Sequence, residues 1–439
     1  MKKALLPVRI FRFSVWAVMA AILVFQSSFD GAYAERIFFA GYKGGFYIRS
    51  EEKGGMELRL GGAFQTDYRY YAEDERSDNR FDIRRARLRF NGQLTRYVRF
   101  GMEYEFQGNE TDNLIDAWGE AGPQAISLRF GQFKEPFSLE WQSRDKAQLF
   151  AERSMGYFLG PRRDIGLMLH GSLFDTSTHY AMGLFNGDGD DGSTSGAEHD
   201  EPELAGRIAA TPFKSFSNPL KSLQFGVSGS YAEIDIINVN LRVQSTGMVG
   251  TDSYLYVLSH NTKFGVIQQV GKRLRLGAEV AWAVGPVLLA GEYIQLKYTD
   301  IQAAGANPSE AEFSSWYAAV AWWLTGENPS LSGGIVQPIY PLRFFNPEEG
   351  TWGSICLAAR VEHFTGDEQW INPTANTSVK EADAASIALN WVLYPMCRVI
   401  LDFTHTELSE PIRVRVLPDG SIDYVDEENV VTLRFGIDF

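Results

Sequence analysis

Apolar and polar residues alternate one for one along most of the chain beyond residue 55. Met56, Leu58, Leu60, Phe64, Tyr68 and Tyr70 share one parity, and Glu57, Arg59, Gln65, Asp67 and Arg69 share the other. A repeat of two residues is that of a strand with one greasy and one wet face. The wet face is too charged for a soluble core, so it must meet water, while the greasy face must meet something apolar. The pattern recurs in Ala86, Leu88 and Phe90 against Arg85, Arg87 and Arg89, then in Val98, Phe100, Met102, Tyr104 and Phe106 against Arg99, Glu103 and Glu105. At the end of the chain Val431, Leu433, Phe435, Ile437 and Phe439 alternate with Thr432, Arg434, Gly436 and Asp438. About 16 such segments occur, centred near residues 64, 86, 101, 117, 129, 169, 182, 208, 228, 278, 292, 319, 358, 388, 403 and 434. An even count, apolar outside and polar inside, predicts an all-β fold: a closed antiparallel transmembrane barrel with Phe439 facing lipid.

The connections alternate in length, as they do in a barrel with turns at one end and loops at the other. Asn91–Thr95, Ala121–Gln124, Asp175–Thr178, Gly285–Pro286 and Pro395–Met396 read as short turns. Lys134–Arg163, Gly187–Glu203, Ile236–Lys272 and Ser409–Glu428 read as long loops. The loops are expected outside the cell, and the turns and both termini in the periplasm. Gly326–Gly350 falls on the turn side and yet is long, so it is an elaborated turn or it hides a strand. Trp316, Trp322, Trp323, Trp352 and Trp391 gather where strands meet turns and are expected to anchor at the membrane interface.

Residues 1–34 supply the compartment. Lys2, Lys3, Arg9 and Arg12 precede the apolar run Phe13–Phe25, and Ala32-Tyr33-Ala34 fits the small-x-small site of a signal peptide, so the mature chain is expected to begin at Glu35. The apolar run has 13 residues, too few for a membrane-crossing helix. Residues 35–55 then form an N-terminal segment that the lumen could hold, and 56–439 the barrel. Losing four basic residues and Asp30 carries the formal charge from −14 to −17, which makes the exported protein a poor partner for nucleic acid. Cys356 and Cys397 lie on strands separated by a third, so two free thiols are expected rather than a disulfide.

No enzyme site emerges. His-Glu-x-x-His and Gly-x-Ser-x-Gly are both missing, and His170, His179, His199, His260, His363 and His405 show no metal spacing. No cofactor is implied. The acidic stretch Asn186–Gly192 has Asp191 where an EF-hand needs glycine and Ala197 where it needs glutamate, so it reads as a solvated loop. Arg85, Arg87 and Arg89 share one strand face at about 6.6 Å spacing, so they line a water-filled wall. There they either attract anions through paired hydrogen bonds or are tied up by Glu103, Glu105 and their neighbours. A porin for small hydrophilic solutes is the leading reading, and a structural or adhesin-type barrel the rival.

The stretch Gly131-Gln132-Phe133 followed by Phe137-Ser138-Leu139-Glu140 leaves a strand for a loop rich in both charges. Together with Gly61-Gly62, Arg84-Arg85-Ala86, Leu324-Thr325-Gly326-Glu327, Asn390-Trp391 and the terminal phenylalanine, it resembles the phosphate-selective porin O/P family over most of the chain. The resemblance implies a trimeric anion porin in the outer membrane of a Gram-negative bacterium, its third loop folded into the lumen. By the same resemblance Lys43, Lys53 and Arg59 would belong to a basic ladder, Arg84 and Arg85 to the constriction, and Asp116 would be the nearby acid. Arg87, Arg89, Arg99 and Arg129 join them as pore-lining residues, and Lys134, Glu140, Trp141, Arg144 and Lys146 as the constriction loop. Parity sets Arg84 with Ala86 and Leu88, which would place it at a strand end near the interface. Trp141 stands where phosphate-selective members are expected to have lysine, and Ala63 where they are expected to have arginine, so weak phosphate selection is the expectation.

Overall fold

The outward and inward parities of the chain are reconciled by closing the sheet on itself. The computed structural model describes residues 37–42, 45–72, 77–107, 113–187, 202–236, 241–258, 262–303, 307–375, 377–416 and 421–439. Among these, sixteen strands form one antiparallel cycle. They are β1 (Glu57–Ala72), β2 (Arg80–Thr95), β3 (Val98–Glu105), β4 (Leu114–Ala121), β5 (Ser127–Lys134), β6 (Arg163–Leu173), β7 (Thr178–Phe185) and β8 (Glu203–Ala210). The cycle continues through β9 (Leu223–Ile236), β10 (Ile267–Val284), β11 (Val287–Ala303), β12 (Ser309–Trp323), β13 (Ser354–Thr365), β14 (Glu381–Tyr394), β15 (Cys397–Val416) and β16 (Ile422–Asp438). Closure is made by β16 against β1, in register from Asn429 opposite Ala72 to Asp438 opposite Ala63. No edge is left in the cycle, so every strand finds hydrogen-bond partners on both sides.

The burial pattern is that of a soluble protein turned inside out. Phe100, Leu128, Phe130, Met182, Leu276, Ile387 and Leu433 are exposed on the outer face, whereas Arg69, Arg360 and Arg434 are among the most deeply buried side chains. Trp316, Trp322 and Trp352 face outward as expected, but Trp323 has the opposite parity and is buried inside against Cys356 and Ala321. Both cysteines are free.

Phe439 exchanges two backbone hydrogen bonds with Gly62, at 3.0 and 2.9 Å, and lays its ring over that glycine on the outer face. A Cβ at Gly62 would come within 2.8 Å of the ring, and one at Gly61 within 2.7 Å of the Phe439 carbonyl, which explains the paired glycines. Where β16 stops, the hairpin Phe38–Tyr42 and Phe46–Ser50 takes its place, pairing with β1 from Phe46 opposite Leu60 to Arg49 opposite Glu57. Residues 37–50, where described, thus extend the wall at the turn end rather than enter the lumen, and the leader lies outside the described residues.

Turns Gly285–Pro286 and Pro395–Met396 fall where the pattern puts them, while the first turn sits at Arg96–Tyr97, just after Asn91–Thr95. Ser409–Glu428 is not a loop over most of its length: β15 and β16 continue their pairing to Val416 opposite Ile422. Charged residues such as Glu410 and Glu427 masked this, although Ile412, Val414 and Val416 alternate with Arg413 and Arg415, and Leu408 and Ile412 are buried in the core of the long-loop half. The long connection Gly326–Gly350 is an elaborated turn containing the short pairs Leu331–Ser332 with Ile335–Val336 and Phe345–Asn346 with Thr351–Trp352.

Three segments fill the far side of the lumen. The third long loop, L3 (residues 135–162), crosses to the opposite wall, where Ala151 N donates to Asp402 at 3.1 Å and Met155 N to Glu362 at 2.7 Å. Its helix α1 (Leu139–Gln142) is capped by Ser138 and presents Leu139 N and Glu140 N to Glu292 at 2.8 and 2.6 Å. The fifth loop, L5 (described over residues 241–258 and 262–266), also turns inward, its Val243, Leu255, Tyr256 and Leu258 packing against Phe313, Phe364 and Trp370 of the long-loop half. From the turn end, residues 331–339 of the insert rise against Leu149 and Phe150 of L3, in space left by inward-facing Ala321, Ala358 and Ala388. Val336 N reaches Ser143 Oγ at 3.2 Å, joining insert to L3. On the other side L3 faces β2, and open space is lined by β3 to β8.

Candidate functional site

The narrow part of the lumen is built on β2. Arg85, Arg87 and Arg89 point inward on one face, as alternation requires. Arg84 joins them because the register with β1 slips by one residue between Gln65–Arg85 and Thr66–Ile83. Such a bulge re-aims a side chain, and Arg84 meets Glu152 of L3 at 2.7 Å. The parity argument that sent Arg84 to the interface is corrected by this extra residue.

Each wall arginine has an acidic partner. Arg87 pairs with Glu105 at 2.7 Å and Asp145 at 2.9 Å, and Arg89 with Glu103 at 2.9 Å. Arg85 donates to Gln65 at 2.8 Å and lies 3.5 Å from Asp145. On the L3 side, Arg153 pairs with Asp145 at 2.7 Å and Arg163 with Asp116 at 2.9 Å. Glu152 is shared further, by Arg69 and Arg434 at 2.7 Å each, and both of these also hold Asp67. The geometry decides between the two readings of the arginines only in part: all are held by carboxylates, yet the seven basic groups Arg84, Arg85, Arg87, Arg89, Lys134, Arg153 and Arg163 outnumber the five acids Glu103, Glu105, Asp116, Asp145 and Glu152.

Trp141 is the hub of the L3 side. Its indole N–H donates to Arg162 O at 3.0 Å, and its ring carries Lys134 Nζ at 4.4 Å and the guanidinium carbons of Arg153 and Arg163 at 5.1 Å each. Lys134 donates to Trp141 O at 2.6 Å and, among the described residues, has no carboxylate in ion-pair contact. Cations gathered around one indole ring are stabilised by its quadrupole. Tryptophan in place of the expected lysine removes one charge but organises three others. Ala63 lies opposite Arg87 across the strand pair.

Charge sets the protonation of L3. Burial opposes ionisation of Asp145, but Arg85, Arg153 and Arg87 around it hold its carboxyl well below the usual range. Glu152 is held low in the same way, by Arg84, Arg434 and Arg69 against burial. Glu135 is different: it is fully buried, close to Glu203 and Asp164, and is pushed well above 4.5 by burial first and then by Glu203.

Of the remaining expected site residues, Glu140 is structural, accepting from Ser154 Oγ at 2.7 Å and facing Arg360 at 3.4 Å. Lys146 reaches Asp438 at 3.4 Å, and Arg144 is exposed on L3. Arg59 sits at the rim beside Glu57, 46% exposed. Lys53 is exposed in the turn after the hairpin, and Lys43 lies outside the described residues, so neither it nor Lys53 is placed in the lumen. Arg99 and Arg129 both bind Glu120 farther along the wall, with Arg129 stacked 4.2 Å from the Trp118 ring. Parity had set Arg69 and Arg434 on the wet face without assigning them to the site, while Arg207 and Arg360 were not singled out, although inward parity on strands already recognised marks them too.

A profile of the family described as phosphate-selective porin O and P matches residues 58–434, from the first barrel strand into the last. The chain belongs to that family. It is an outer-membrane porin, and family and fold are those of a channel rather than an enzyme. No curated protein sequence matches significantly. Solved barrels similar to this porin include OmpT of Vibrio cholerae, 11% identical with a TM-score of 0.51 over 88% of this chain and 99% of that one. The outer-membrane channel DcaP of Acinetobacter baumannii is 12% identical at TM-score 0.51, covering 91% and 100%. An anion-selective porin from Comamonas acidovorans is 12% identical at TM-score 0.51, covering 88% and 100%. At such identities these likenesses speak for the porin's fold alone.

Proposed function

We propose that the porin is a passive channel for small hydrophilic solutes that prefers anions, with only weak selection for phosphate. The observation that carries this is the surplus of basic over acidic groups where L3 faces β2. Local charge on a confined wall acts within a Debye length of roughly 8 Å, so the overall acidity of the chain matters less there than these side chains do. Ala63 and Trp141 remove two cations from the pattern expected of phosphate-selective members, which supports a general anion preference. Because nearly every arginine is also bound to an acid, the preference is modest. L3, L5 and the insert narrow the lumen, so the unit conductance should be small but finite, which separates the porin from a purely structural barrel. In a bilayer with a tenfold KCl gradient, a reversal potential of the anion-selective sign supports the reading, and one of the cation-selective sign rejects it.

We further propose a homotrimer, following the family and the trimer form recorded for OmpT of Vibrio cholerae. Cross-linking in native membranes should give a three-chain band. A monomer there and in mild detergent would remove that part of the reading.

A further inference from the structure

Beneath L3, toward the short-turn end, lies a chamber of about 340 Å³. Its roof is L3, through Pro136 and Gln142, and its walls come from β3 to β8. Its floor is the insert, at Gly333 and Ile335. The floor is fitted to the wall: Gly334 O accepts from Arg207 Nη2 at 2.6 Å and Gln224 Nε2 at 3.3 Å. Gly334 has φ +74, and a Cβ there would lie 3.1 to 3.4 Å from Ala209, Arg207 and His179, so the Gly333-Gly334 pair lets the insert close against the wall.

The lining is cationic and rich in neutral hydrogen-bonding groups. Arg99 and Arg129 flank Glu120, which also contacts His170 Nε2 at 2.9 Å. Arg99 donates to Ser127 Oγ at 3.0 Å, and Ser172 Oγ lies 2.8 Å from His179 Nδ1. Arg207 is neutralised by Glu279, which leaves two guanidiniums facing one carboxylate. One water needs only about 10–15 Å³ of such space, so the chamber suits a solute of on the order of ten heavy atoms or more. Inorganic phosphate would fill less than half of it, whereas a longer anion also reaches Gln142, Ser172 and His179, which line the space and would exchange hydrogen bonds within the protein for bonds to the solute.

We propose that this chamber is a holding site for small polyhydroxylated organic anions of the sugar-acid or sugar-phosphate class. Arg99 and Arg129 take the acid group, while Gln142, Ser172 and His179 take hydroxyls. The proposal rests on the anion reading and adds to it a solute that is paused rather than merely admitted.

The test is block of chloride current through the whole porin in planar bilayers, with gluconate as probe and acetate as a carboxylate of equal charge without hydroxyls. Gluconate should reduce the current at concentrations about tenfold lower than acetate, the scale of a few net hydrogen bonds. Arg129→Gln should raise the gluconate concentration needed by about tenfold, the scale of one charge-assisted bond. Ser172→Ala, which leaves every charge in place, should narrow the gap between gluconate and acetate. Equal block by the two anions in an anion-selective channel overturns the chamber while leaving the anion reading intact. Gluconate block that neither variant changes also overturns it, by placing the site elsewhere. Cation selectivity of the wild type overturns both.

Discussion

Glu152 ties L3 to four strands, three through its carboxylate and one through its backbone carbonyl. Arg84 of β2, Arg69 of β1 and Arg434 of β16 converge on it from the wall, and its backbone carbonyl takes Arg360 of β13 at 3.2 Å. Replacing one partner of a buried ion pair leaves uncompensated charge and costs about 3–5 kcal/mol. Glu152→Gln is therefore expected to lower the thermal midpoint and to make the current noisier, as L3 loses its hold on three arginines; an unchanged midpoint and quiet current would deny it that role. Glu135 gives a pH dependence of opposite sense to that of its neighbours on L3. Its docked-state carboxyl lies above the ordinary 4.5, raised by burial first and then by Glu203 and Asp164, and only partly relieved by Arg275 and Arg273. Docked L3 thus binds more protons than undocked L3, and its stability falls as pH rises from the ordinary carboxylate range through the raised value. Asp145 and Glu152, held low, lose their contribution only as pH falls below that range. Channel noise should accordingly grow as pH rises above 4.5, and Glu135→Gln should flatten the slope. The same slope in Glu135→Gln would assign it to another group. Individual residues were legible where parity was regular, as at Arg85, Arg87 and Arg89. Arg84 was not, because a bulge is a local slip that alternation cannot register.

At the scale of elements, two kinds of segment behaved differently. Strands announced themselves because each must satisfy lipid on one side and a charged lumen on the other, and this double demand writes a period of two into the chain. Segments folded into the lumen carry no such period. L3 was recognisable by its length and mixed charge, but L5 and the insert were not, since a loop that packs inside a barrel looks in sequence like one that projects outside. The small inward residues Ala321, Ala358 and Ala388 were the available sign that something occupies the space beside them. Cutting the insert back to a short turn, by deleting residues 331–339, is expected to raise conductance severalfold, because it opens the periplasmic half beside β12 to β14 and unties Val336 from Ser143. Conductance equal to wild type would mean that the insert lies clear of the current. Shortening L3 between Asp145 and Glu152 should raise conductance as well, and should also weaken selectivity, since Asp145 and Arg153 belong to the narrow wall.

For the molecule as a whole, an acidic chain encloses a path whose narrowest part has a basic surplus, and the two facts are compatible because the charges that matter are those facing the solute. The barrel was readable from the sequence because closure depends on regular strands, whereas the filling of its far half depends on irregular contacts between loops. Where L3 faces β2, the burden of selectivity falls on few residues. The most direct measurement is the reversal potential in a KCl gradient of the wild type beside Arg87→Gln/Arg89→Gln. The wild type should prefer anions, and the double variant should lose most of that preference, because Glu103, Glu105 and Asp145 would then face the solute with two fewer counter-charges. Cation preference in the wild type, or an anion preference untouched by the two substitutions, would contradict the account.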